Sequence, residues 1–330
     1  MTPTAALNTS TAATILVAVS LLAATSGATE PVSEPQALVR DVLARADAMT
    51  SGSFHYRVRC GMRGAPDAKW RGKAFTEMGD DWRLDEHGAE FTRSQINHHG
   101  RFLEMRGTMQ PSGRILTGVD VEVPRRVREK TALPFPPTFL GTFWDPSTAQ
   151  YVRDHGSEAR LGNAEVVDGI DCVVLEWSIR GSDLFNAFKS ICPALSKESG
   201  TLRVFVAPQL GYCLPRVDQI QGETVCIRYV ARQFERVPCG LHVPRAVSRL
   251  QFDDKGNESF CIDYEITAIR NVNQAIGDGA FIVSIPEGAA VYVRTGAQPV
   301  NFLLGRHLEN SEEIEQAAPK PQTGRGGAPR

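Results

Sequence analysis

The sequence lacks a charge excess of either sign. Its 36 Lys and Arg stand against 38 Asp and Glu, a formal net charge of −2. No global field therefore draws it to nucleic acid or to an anionic membrane. The one basic cluster, PRRVREK at residues 124–130, has no flanking aromatics for base stacking and reads as a solvated loop. Recognisable chemistry is absent as well. There is no CxxC, no finger-spaced Cys and His set, no HExxH, no GxSxG elbow and no GxxxxGK loop. Short-period repeats are missing, which excludes propellers and solenoids. Long apolar runs are missing too. The best, ILVAVSLLAA at 15–24, is too short to span a bilayer comfortably as a helix.

That short run is the core of an expected signal peptide over residues 1–28. Ser26 and Ala28 supply the small residues before the cleavage site. The expected product is secreted to the periplasm, with no stable transmembrane anchor after cleavage. Seven cysteines fit an oxidising compartment, and their odd number leaves at least one thiol unpaired.

After a linker at 29–35, EPQALVRDVLARADAMTSGS (34–53) spaces Leu38, Val39, Val42, Leu43 and Ala46 as one face of a helix, stopped by Thr50–Ser53. The period then changes to two. FHYRVRC (54–60), KWRGKAF (69–75), DWRLDE (81–86), AEFTRSQ (89–95) and RFLEMRG (101–107) read as a meander of short strands. The second half is clearer. IDCVVLEWSI (170–179), TLRVFVA (201–207), TVCIRYVARQF (224–234) and SFCIDYEITAI (259–269) each put apolar residues on one side only. One-sided strands predict antiparallel sheet. SDLFNAFKSICPALSKE (182–198) is a second helical candidate, disturbed by Pro193. The Pro-rich TALPFPPTFLGTFW (131–144) spaces Phe135, Phe139 and Phe143 at i, i+4, i+8. It reads as an aromatic plug in a core or as a lid over an apolar cavity. Residues 297–330 form an expected flexible tail, almost free of apolar content at the end.

Counting outward from a turn near Gln219–Gly222 brings Cys213 within a diagonal step of Cys226, with Cys261 as a competitor for Cys226. Unpaired thiols are the equal alternative. His98 and His99 are adjacent, and neighbours on a strand face opposite ways, so they read as turn residues and no metal is expected. No cofactor is expected either.

The order of these parts resembles the periplasmic lipoprotein-sorting carrier superfamily, the LolA/LolB-like proteins with their RseB-type relatives. The stretches that carry the resemblance are ALVRDVLARADAMTSGSFHYRV (37–58), KWRGKAFTEMGDDWRLDE (69–86), VDGIDCVVLEWSI (167–179), GTLRVFVAPQLGYCLPRVDQI (200–220) and GAFIVSIPEGAAVYV (279–293). The resemblance implies an α+β, mainly antiparallel fold: a curved incomplete β-barrel over residues 36–296, closed by a few helices. It also implies a hollow that holds a lipid, an acyl chain or an acylated protein's anchor without enzymatic chemistry. Trp70, Trp82, Trp144 and Trp177, with Phe135, Phe139 and Phe143, are the aromatics expected to line that hollow or fill it. An envelope protein partner on the same scaffold is the alternative use. An exported enzyme built from distant residues such as His242 is a third.

Overall fold

A proline at the first helical position and a row of Leu38, Val39 and Val42 make helix α1, Pro35–Asp47. Its apolar stripe is buried together with Arg45, and Arg40 and Asp47 are exposed. The helix ends earlier than its periodicity predicts. Ser51 and Gly52 already belong to strand β1 (Ser51–Met62), because they pair with Met78 and Glu77. The computed structural model describes residues 34–62, 69–79, 81–88, 91–109, 115–123, 146–179, 200–253, 255–295, 300–308 and 311–318. All of them lie in one compact unit, Glu34–Arg330. The expected signal peptide, the expected linker up to residue 33, the 131–144 stretch, the 182–198 candidate and the last twelve residues lie outside the described residues.

The remaining strands are β2 (Arg71–Met78), β3 (Asp81–His87), β4 (Phe91–His98), β5 (Arg101–Met109), β6 (Ile115–Val123), β7 (Arg160–Leu161), β8 (Glu165–Val167), β9 (Ile170–Ile179), β10 (Gly200–Ala207), β11 (Cys213–Gln221), β12 (Thr224–Arg236), β13 (His242–Phe252), β14 (Glu258–Arg270), β15 (Ala290–Thr295) and β16 (Val300–Leu303). Two further helices are α2 (Pro146–Asp154) and α3 (Ser311–Ala317). The strands form one open sheet in the order β16-β15-β6-β5-β4-β3-β2-β1-β14-β13-β12-β11-β10-β9-β7, with β8 paired to β9. Every pairing is antiparallel except β15 with β6. The chain is thus a mainly antiparallel incomplete barrel, and among the described residues its end strands β16 and β7 do not pair with each other. None of the described helices is long and apolar enough to cross a membrane.

One apolar cluster gathers the inward side chains of β1, β2, β3, β5 and β9 to β14 with those of α1 and α2. Trp82 on β3 and Trp177 on β9 both belong to it, although eight strand steps separate them. In a flat sheet that would be about 38 Å. The helices fill the concave side between them. Arg45 of α1 donates to the His242 carbonyl on β13 at 2.5 Å, and the Tyr151 hydroxyl of α2 donates to the Ser178 carbonyl on β9 at 3.3 Å. The Arg153–Asp47 ion pair ties α2 to α1.

A second cluster sits on the other face. Phe102 belongs to the first and its neighbour Leu103 to the second, as alternation requires. Ile96, Leu103, Val119 and Val121 are covered there by Phe281, Val283, Ile285, Leu304, Leu308 and Ile314. This corrects the expected tail from 297 onward. Residues 300–318 carry β16 and α3, and Ile314 is fully buried.

Candidate functional site on the concave face

Residues directly opposite one another in an antiparallel pair share a face. Following those partners across the sheet defines one inward row. Met62 faces Phe260, Phe260 faces Gln251, and Gln251 faces Ile227. Ile227 faces Gln219, Gln219 faces Leu202, and Leu202 faces Trp177. The row grades from surface to core. Met62 is 72% exposed, Phe260 is half-buried, and Trp177 is 1% exposed. The row thus keeps one face from the rim of the sheet to its interior, apolar except at Gln251 and Gln219.

The same concave face changes character toward β2–β5. Tyr56 faces Lys73, Lys73 faces Glu86, Glu86 faces Arg93, and Arg93 faces Arg106. Glu86 and Glu104 are buried carboxylates in this ladder. Glu104 accepts from both Arg93 and Arg106 at 2.6 Å. Burial pushes its carboxyl up, but the two guanidiniums outweigh burial, and the pKa lies below the usual range. Lys73 sits 3.5 Å from Glu86, and its pKa is lowered because burial outweighs that carboxylate. Burial also pushes the Tyr56 phenol well up. One stretch of the concave face is thus mainly apolar, and the next is a set of paired charges.

The tryptophans divide. Trp82 and Trp177 are in the packed interior. Trp82 stands 6.0 Å from Phe102 between ring centres, and the Trp177 indole donates to the His155 carbonyl at 3.0 Å. Trp70 does not line the hollow, which corrects its expected place. It is 37% exposed on the outer face, with the guanidiniums of Arg57 and Arg59 about 5.0 and 4.8 Å from its ring. There it edges an open depression of about 770 Å³ with Arg59, Arg245, Ser248, Asp263 and Glu265. Outward residues of β1 and β14 alternate with the apolar inward ones, so Trp70 follows its charged neighbours. Phe135, Phe139, Phe143 and Trp144 lie outside the described residues.

The disulfide candidates do not meet. Asp218 faces Arg228, so the turn is centred two to three residues later than expected and Cys213 is carried past Cys226. Cys261 faces Leu250 on β13, which stands between β14 and β12 and keeps it from Cys226. Cys213 and Cys261 are free thiols. Cys213 donates to the His242 carbonyl at 3.3 Å. Burial and the Asp263 carboxylate push Cys261 up to about 12, and burial with nearby carboxylates pushes Cys172 to about 11. Neither has the lowered pKa of a nucleophile.

His98 and His99 escape the strand rule applied to them. His98 ends β4, and His99 takes a positive φ of 49° in the turn, so the rings stack 3.8 Å apart. Their nitrogens lie with an Asp81 oxygen within 4.8 Å of one another. Asp81 already serves this turn, accepting from the His99 amide at 2.9 Å and lying 3.1 Å from His98 Nδ1. His242 is used through its backbone carbonyl, which holds Arg45 and Cys213.

No family pattern and no curated protein matches the sequence. Solved structures do. The chain is similar in fold to a LolA superfamily protein from Nitrosomonas europaea. That likeness covers 76% of this chain and 98% of the other, at 10% identity and a TM-score of 0.39. A DUF1329 family protein from Desulfovibrio piger aligns over 77% of this chain and 98% of its own, at 14% identity and a TM-score of 0.41. A domain described as a putative outer membrane lipoprotein-sorting protein, from Vibrio parahaemolyticus, aligns over 75% and 97%, at 10% identity and 0.41. At identities of 10–14% none of them assigns a ligand to this chain.

Proposed function

We propose that this chain is an exported, non-enzymatic binding protein that holds a lipid or acyl chain in the hollow of its curved sheet. The observation that carries the reading is the inward row from Met62 to Trp177. It runs from exposed Met62 to buried Trp177 through Phe260, Ile227 and Leu202, interrupted by Gln251 and Gln219, on an open sheet. Binding on such a face needs no acid, base or metal. Each methylene removed from water contributes about 0.8 kcal/mol. Export is supported by the apolar run at 15–24 with Ser26 and Ala28 behind it, and the periplasm is the proposed destination.

Native mass spectrometry of protein purified from its own envelope tests the reading. The expected spectrum shows an added mass that denaturing conditions release and that fragments as a lipid. Bare protein that also takes up no fluorescent fatty acid would overturn it.

A further inference from the structure

The turn between β4 and β5 holds an unusual residue. His99 and Gly100 carry positive φ angles of 49° and 74° between strands paired right up to the turn. In such a two-residue hairpin turn the first position most often holds Asn, Asp or Gly. Trp82 faces Asn97, so Asp81 and His98 end the β3–β4 pair opposite one another. A ring nitrogen of each histidine and an Asp81 oxygen thus gather at one corner of the sheet, all within 4.8 Å of one another.

The two oxygens of Asp81 have different surroundings. Oδ1 accepts from the His99 amide at 2.9 Å, which fixes the carboxylate. Oδ2 lies 3.1 Å from His98 Nδ1. That nitrogen is buried and has no hydrogen-bond partner among the described residues, so the close pair is not aligned as a hydrogen bond. Two ligand atoms at about 2.0–2.1 Å from one tetrahedral zinc stand about 3.3 Å apart. The spacing of Oδ2 and Nδ1 is close to that. His98 is held in place from its other side by Phe281, whose ring centre lies 5.4 Å away.

We propose that Asp81, His98 and His99 form a zinc site at this corner. Imidazole nitrogens suit zinc and the neighbouring late transition ions, whereas calcium and magnesium take oxygen ligands. Asp81 Oδ2 and His98 Nδ1 supply two ligands, His99 the third, and water the fourth. The His99 amide on Asp81 Oδ1 is the outer support that orients the carboxylate. Binding requires the His99 ring to turn. It stacks on His98 at 3.8 Å and 25°, and near-parallel planes at that separation cannot share an ion about 2.0–2.1 Å from a nitrogen of each. His99 is exposed, so its ring turns about its own side-chain bonds without moving the strands. Through Phe281 the corner adjoins the second apolar cluster, on the face away from the hollow. The site therefore stands or falls independently of the carrier reading.

The test titrates the full chain, stripped with EDTA and kept reduced, with zinc chloride against a chromophoric chelator. Wild type is compared with His99→Asn, His98→Ala and Asp81→Asn. His99→Asn is the deciding variant, because asparagine suits the positive φ and an exposed ring has little packing to lose. Asp81→Asn keeps an acceptor for the His99 amide and removes the charged ligand. Each variant should weaken zinc binding about tenfold or more. X-ray absorption of the wild-type complex should show nitrogen and oxygen at about 2.0–2.2 Å. A sulfur shell at about 2.3 Å would place the ion on a thiol and overturn the site. Zinc binding unchanged in His99→Asn would also overturn it, leaving His99 a turn residue. No zinc binding by wild type would do the same, leaving Asp81 and His98 a charge pair. If His98→Ala or Asp81→Asn fails to fold, His99→Asn still decides.

Discussion

Replacing Trp177 with alanine is expected to lower the unfolding free energy by about 3–5 kcal/mol. The indole is among the largest fully buried side chains, and the change both forfeits its transfer from water and leaves a cavity. It also orphans the His155 carbonyl, which the indole N–H serves at 3.0 Å. Trp70→Ala is the control, because the residue type is the same and the setting is not. Trp70 gives up only a half-exposed stack against Arg57 and Arg59, worth about 0.5–1 kcal/mol. Urea titration of both variants checks the placement. Equal losses would mean that Trp177 is not in the core or that Trp70 is not outside it.

Asp218→Asn should cost about 3 kcal/mol, for an electrostatic reason rather than a packing one. The carboxylate is fully buried. It accepts from Arg216 Nε and Arg228 Nε, each at 2.8 Å, and again from Arg228 Nη2 at 3.1 Å. Arg216 also lies over the buried Phe205 ring at 4.6 Å and Arg228 over the Phe252 ring at 5.7 Å, so each guanidinium is held by a second contact. An amide keeps the shape, removes the charge and turns an N–H₂ toward two cations. The comparison is Glu265→Gln, which breaks the exposed pair with Arg57 and should stay within about 1 kcal/mol. If the two substitutions cost the same, Asp218 is not the centre of a desolvated cluster.

Strands β9, β10, β12 and β14 were legible because the rule that identifies a half-buried strand is the rule they obey. Leu202, Val204 and Val206, for example, all enter the inner cluster. β13 was not legible. Pro244 interrupts its pattern, and the protein tolerates the missing N–H because pairing with β14 begins only at Ala246. The outer core was hidden for a different reason. Its covering residues come in two short alternating runs, Phe281–Val283–Ile285 and Ala289–Val291–Val293, and then singly at Leu304, Leu308 and Ile314, too short for the pattern to show which face they cover. The cysteine geometry failed on a shift of the β11–β12 turn by two to three residues, enough to move Cys213 well away from Cys226. Gln219 carried a faint signal. In VDQIQ, Val217 points inward, so alternation puts Gln219 inward as well. A glutamine on a strand reads as an outward residue until its neighbours fix the face.

Affinity as a function of chain length is the most direct measurement of whether this concave face takes hydrocarbon from water. Fatty amides of increasing length should bind the full chain about fourfold more tightly for each added methylene, the equivalent of about 0.8 kcal/mol, until the hollow is filled and the gain stops. Affinities that do not change with chain length would contradict the account, because no methylene would then be leaving water for the interior.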